Sequence, residues 1–156
     1  MKILLCAGLL ALSLAAAAPD PVAWKLQDGP TKPVRAGGKF TIKLTAQIQE
    51  GWHLYSTKHV EEGPVATKIW VPEGQPFQLS DAIKSSPPDR QQDPSFNMEV
   101  ELYEGQASFT LPVKVSAGAP AGVQNFTVNA SYQSCNNKIC LPPKTVKVEV
   151  AVSVVK

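Results

Sequence analysis

Three stretches of this chain alternate apolar and polar residues with a period of two, and that pattern restricts its folding more than any other feature. In 39–49, KFTIKLTAQIQ, Phe40, Ile42, Leu44, Ala46 and Ile48 fall on one side, with Thr41, Lys43, Thr45 and Gln47 on the other. The same pattern places Phe126, Val128, Ala130 and Tyr132 on one face of 124–133, and Val146, Val148, Val150, Val152 and Val154 on one face of 145–155. Successive side chains of an extended strand point to opposite faces, so these stretches predict three strands, each buried on one side. Weaker alternation predicts four more, at 22–27, 52–56, 66–71 and 106–115. Gly29-Pro30, Gly37-Gly38, Gly63-Pro64 and Pro87-Pro88 mark turns between the runs. Seven short strands with such turns predict an all-β, immunoglobulin-like antiparallel β-sandwich. The chain's 156 residues, 44% of them apolar, suffice for one domain core and not for two. Residues 73–99 lack clear alternation and read as a long irregular segment, of the kind that carries function on a rigid scaffold.

Residues 1–18, MKILLCAGLLALSLAAAA, open with a lysine, run apolar through Leu14 and close on small residues. This predicts a secretory signal peptide, a mature domain over 19–156, and a periplasmic or secreted location. The run falls short of the roughly 20 apolar residues a membrane helix needs, and no later run could span a membrane. Cys6 has no hydrophobic region ahead of it, which excludes a lipid-anchor signal, and it would leave with residues 1–18. Lys2 leaves too, so fifteen Lys and Arg become fourteen against thirteen Asp and Glu. A net charge near +1 gives no concentrated basic face, which argues against nucleic acid as a partner. The mature chain keeps two cysteines, an even count that outside the cytosol suggests a disulfide.

Those two, Cys135 and Cys140, lie in SYQSCNNKICLPPKT at 131–145, between two of the strongest strands. If those strands pair as a hairpin, the cysteines sit on the solvent-facing loop joining them, with Cys135 extending the strand that holds Tyr132. Asn136-Asn137 favours a tight turn, and Pro142-Pro143 lacks the donors of a central ladder. A bridge here could be a staple or a reagent. Closing about six residues contributes only ~2 kcal/mol in the chain-entropy model, against ~4 to 5 for a bridge between distant strands, which weighs against the staple. Lys138 would favour a thiolate if its ammonium approached either sulfur. A secreted binding module with a purely structural bridge stays open as the alternative.

Other chemistries find less support. His53 or His59 could join the thiolates around a metal, but neither has a fixed relation to the cysteines, so no metal or cofactor is expected. His53 reads as a strand residue beside an aromatic. Asp81, Asp89, Asp93, Glu99 and Glu101 read as solvated acids in a loop-rich region, and no phosphate loop or serine nucleophile motif is present.

YQSCNNKICLPPKTVKVEV resembles the cysteine segment of the N-terminal periplasmic domain of the thiol:disulfide interchange protein DsbD, a domain also found alone as a disulfide bond corrector. GWHLYS at 51–56 and DPSFNMEVELYEGQASFTLPV at 93–113 are similar to two further stretches of that domain, in the same order. The resemblance spans most of 22–155 and implies an immunoglobulin-like fold without a cofactor. Its cysteine pair would take electrons from a membrane-linked thiol donor and pass them to thioredoxin-fold proteins of the disulfide isomerase or cytochrome c maturation type. It implies that Cys140 forms the mixed disulfide and Cys135 resolves it. Phe96, with Asp93 nearby, would belong to a cap loop sheltering the pair, and Tyr55 would lie beneath it. Two features depart from the family. Four residues separate the cysteines where the best-studied members have five, and the membrane-linked donor would have to be a separate molecule.

Overall fold

A computed structural model describes residues 20–156, so the predicted signal peptide and Cys6 lie outside the described residues. Thirteen strands follow one another, with no helix among the described residues. They are β1 (Val22–Asp28), β2 (Val34–Arg35), β3 (Lys39–Ile48), β4 (His53–Tyr55), β5 (Lys68–Trp70), β6 (Phe77–Leu79) and β7 (Lys84–Ser85), then β8 (Asp89–Asp93), β9 (Met98–Glu104), β10 (Gln106–Val115), β11 (Gly122–Tyr132), β12 (Ser134–Cys135) and β13 (Lys144–Val155).

Two sheets face each other as a sandwich of immunoglobulin type. One runs β1-β3-β10-β6, with β7 also on β10; the other runs β2-β13-β11-β5. Pairing is antiparallel throughout except where β2 lies parallel to the end of β13. The alternating faces meet as the sequence predicts: Ile42, Leu44, Phe109 and Leu111 from one sheet and Phe126, Val128, Ala130, Val150 and Val152 from the other belong to one buried core. Phe77 stacks on Phe126 across the sheets with ring centroids 4.4 Å apart, and Trp24 stacks on Phe109 at 5.4 Å. Burying side chains of this size removes enough apolar surface to outweigh the ordering of such short strands.

The seven predicted strands are present as β1, β3, β4, β5, β10, β11 and β13. The irregular segment expected over 73–99 is instead strand-rich, holding β6, β7, β8 and the start of β9. β6 and β7 have three and two residues, too few to display a period. β8, DRQQD, is exposed except at Asp93, so it carries no apolar stripe to read. Asp89, Asp93, Glu99 and Glu101 are therefore strand residues rather than loop acids.

A third sheet, β12-β4-β9-β8, leans on the sandwich and forms the site. Period two divides it. Leu54 of β4 and Tyr103 of β9 turn inward to the main core, while Tyr55, Val100 and Leu102 turn the other way into a separate cluster with Cys135.

Candidate functional site

β11 and β13 pair over their whole length, from Gly122 opposite Val154 to Tyr132 opposite Lys144, so the predicted hairpin is present. Cys135 does not extend β11, however. After Tyr132 the chain steps across, and Ser134 and Cys135 pair with Leu54 and His53 of β4 in the third sheet. Gln133 marks the step, its amide donating to the carbonyl of Leu141 at 3.2 Å. The eight-residue chain between β12 and β13 folds back on β12: Leu141 N donates to Ser134 O at 2.9 Å, and Cys140 bridges to Cys135. Asn136 makes the turn, its Oδ1 accepting from the amides of Lys138 and Ile139 at 2.8 and 2.9 Å.

The turn brings the sulfurs together as a disulfide, with Cα atoms 4.0 Å apart. The pair is not solvent-facing as the loop reading expected. Cys135 is 1% exposed and Cys140 half-buried, while the turn residues Asn137, Lys138 and Ile139 are exposed. The difference arises because Cys135 joins β4, whose neighbour β9 supplies Val100 and Leu102 against the sulfur-bearing face.

Phe96, Met98 and Cys140 complete that cluster. Phe96 sits at the tip of a tight β8–β9 hairpin, where Asp93 is opposite Met98 and Asn97 adopts φ 51°, a left-handed conformation asparagine tolerates. Its ring meets Tyr55 edge to face at 5.9 Å. Two hydrogen bonds hold the tip: Tyr55 Oη donates to Asp93 Oδ2 at 2.7 Å, and Ser95 N donates to Asp93 Oδ1 at 2.7 Å. Burial, joined by the bond to Asp93, pushes the Tyr55 phenol far above its usual pKa, so it stays a donor. On the hairpin's opposite face Arg90 and Lys58 pair with Glu101 at 2.9 and 3.8 Å.

All five residues singled out from the sequence, Cys135, Cys140, Phe96, Asp93 and Tyr55, thus converge on one site. Sequence reasoning weighed His53 only as a metal ligand and read it as a strand residue; it is 8% exposed and belongs to the site. Its Nε2 lies 3.3 Å from Tyr55 Oη and 4.0 Å from Asp93 Oδ2. The available signal was its place two residues before Tyr55, which puts both side chains on one strand face. His59 lies elsewhere, exposed beside Glu61.

A disulfide with one buried and one half-buried sulfur, set in an apolar cluster that Phe96 also packs against, has the chemistry for thiol–disulfide exchange. The sequence profile of the family described as the N-terminal part of the thiol:disulfide interchange protein DsbD matches residues 25–152. Among solved structures, the N-terminal domain of Neisseria meningitidis DsbD in the reduced form superposes with a TM-score of 0.52 at 16% identity, over 76% of this chain and 82% of that one. The N-terminal periplasmic domain of ScsB from Proteus mirabilis gives a TM-score of 0.54 at 20% identity, over 83% of this chain and 44% of that one. At these identities the two structures bear on the fold. No curated protein sequence matches the chain. With the profile spanning most of its length, the cysteine pair included, this chain belongs to the family of the N-terminal domain of the thiol:disulfide interchange protein DsbD.

Proposed function

We propose that the chain is an exported thiol–disulfide exchange domain that relays reducing equivalents between thioredoxin-fold proteins through Cys135 and Cys140. In this reading residues 1–18 direct export and are removed, 19–156 form the mature periplasmic domain, and a separate membrane-linked thiol protein is the donor. The acceptors are thioredoxin-fold proteins of the disulfide isomerase or cytochrome c maturation type. The observation that carries the reading is the Cys135–Cys140 disulfide, built into an apolar cluster that Phe96 packs against, in a member of this family.

The chemistry needs no cofactor. The Cys140 thiolate of the reduced pair attacks a partner's disulfide, forming a mixed disulfide and releasing one partner thiolate. Cys135 then attacks Cys140, restoring the internal disulfide and releasing the partner's second sulfur; two electrons and two protons pass to the partner. The half-buried Cys140 supports its role as the first nucleophile, since access governs exchange, and the burial of Cys135 beside it suits the resolving role. Phe96, held by Asp93 and Tyr55, covers the pair between encounters, which protects a reduced site in an oxidising compartment.

Variants of each cysteine, incubated with an oxidised thioredoxin-fold protein and run on a non-reducing gel, test the assignment. Cys135→Ser is expected to trap a stable adduct through Cys140, and Cys140→Ser to trap little. A stronger adduct from Cys140→Ser would reverse the roles, and none from either would defeat the exchange reading.

A further inference from the structure

His53 lies directly across the β4–β12 ladder from Cys135. Opposed residues of an antiparallel pair put their side chains on the same face, with Cβ atoms about 4.5–5.5 Å apart. The titratable groups that share this site with the imidazole are Tyr55 on its own strand, Asp93 at the end of β8, Glu104 opposite it on β9, and the cysteine pair. Their hydrogen bonds decide which ring nitrogen carries the proton. The Tyr55 hydroxyl gives its hydrogen to Asp93, so its oxygen accepts from His53 Nε2. The neutral ring is then protonated on Nε2 and keeps its lone pair on Nδ1. Burial lowers the pKa of His53, outweighing the opposing pull of Asp93 and Glu104, so the ring is neutral at neutral pH.

The resolving step has a proton to dispose of. Cys135 must lose its S–H hydrogen to attack Cys140, and its burial disfavours the thiolate. We propose that His53 Nδ1 takes this proton, making the imidazole the base of the resolving step, with Asp93 and Tyr55 orienting the ring. The proposal rests on the exchange reading above. In the step the Cys135 S–H bond breaks and the proton passes to Nδ1. The Cys135–Cys140 bond forms as the bond between Cys140 and the partner breaks, and the electron pair leaves on the partner's sulfur. The cysteine pair is oxidised, the partner sulfur is reduced, and the imidazolium returns the proton to that thiolate or to water. A carboxylate that fixes a base, which in turn faces a weak nucleophile, is a general means of activating one.

Reduced protein mixed with excess dithiobis(nitrobenzoate) separates the two sulfurs in one absorbance trace. The first nitrothiobenzoate leaves when the mixed disulfide forms, and the second when the other cysteine resolves it. His53→Gln is expected to slow the second release about 10²-fold at neutral pH, the usual scale of a positioned base. It should leave the first release unchanged, and abolish the inflection that the wild-type second release shows in acid as His53 is protonated. Tyr55→Phe keeps the ring but loses the hydroxyl that fixes the tautomer. It should slow the second release by a smaller factor, and it carries the test should His53→Gln not fold. Matching second-release rates and pH profiles in wild type and variants would overturn the proposal, as would equal slowing of both releases. A wild-type reduced pair that releases no second equivalent would instead overturn the exchange reading itself.

Discussion

Phe96 is a half-buried aromatic whose contacts are the Tyr55 ring edge and the cluster around Cys135, not the main core. An aromatic pair of this kind adds about 0.5–1.5 kcal/mol beyond its burial, so truncation should cost little stability. Phe96→Ala is therefore expected to speed alkylation of the reduced pair by iodoacetamide while moving the urea midpoint only slightly. An unchanged alkylation rate with a large stability loss would mean the ring is structural. At this scale the cysteines were legible because their types and spacing are local. His53 was not, because nothing at position 53 refers to position 135 until β4 and β12 pair.

Each element end that flanks the cysteine turn is tied down. Asp20, just ahead of β1, accepts from Tyr132 Oη at 2.6 Å and pairs with Lys144, joining the N-terminal segment to the last residue of β11 and the first of β13. Burial raises the Asp20 pKa, but bonds from Lys144, Tyr132 and the Val22 amide and the charge of Lys144 outweigh it, leaving the value lowered. A carboxyl with a depressed folded pKa contributes stability that is full above its unfolded value and is lost as pH falls through the folded one. Asp20→Asn should thus cost about 1 kcal/mol near neutrality, a modest figure for a partly exposed charged hydrogen bond. The difference from wild type should vanish in strong acid; urea melts at both pH values measure it. A gap that persisted in acid would show that packing, not charge, is lost. The β8–β9 hairpin is the element least visible beforehand, since its outer strand is polar and its period emerges only against β9.

Across the whole molecule, stability and the site are carried by different parts. The two-sheet core rests on residues such as Phe126, 1% exposed and packed on Phe77 and Phe40. Phe126→Ala is expected to cost about 3–5 kcal/mol. Reducing the disulfide, which closes a separation of five residues, should cost only ~2 kcal/mol and leave the fold intact. Denaturant melts of the oxidised, reduced and Phe126→Ala proteins compare the three directly. Cooperative unfolding on reduction alone would make the bridge a staple and favour a binding module. A domain that alternates between redox states needs this separation, because its core must hold in both.

Strand period belongs to the chain alone: β3, β11 and β13 are long enough that one face must be buried whatever partner covers it. The cysteines' closeness is equally local, set by the Asn136 turn. Only the tertiary structure decided that Cys135 leaves β11 for β4, because that choice depends on which edge is vacant once the sandwich has formed. From that single pairing follow the burial of one sulfur and the nearness of His53, while the hold of Asp93 on Tyr55 from 38 residues away follows from β4 and β8 flanking β9. Short strands carry too few residues to state a period, and the convergence of side chains from four of them is a matter of register between distant segments, which no local pattern contains.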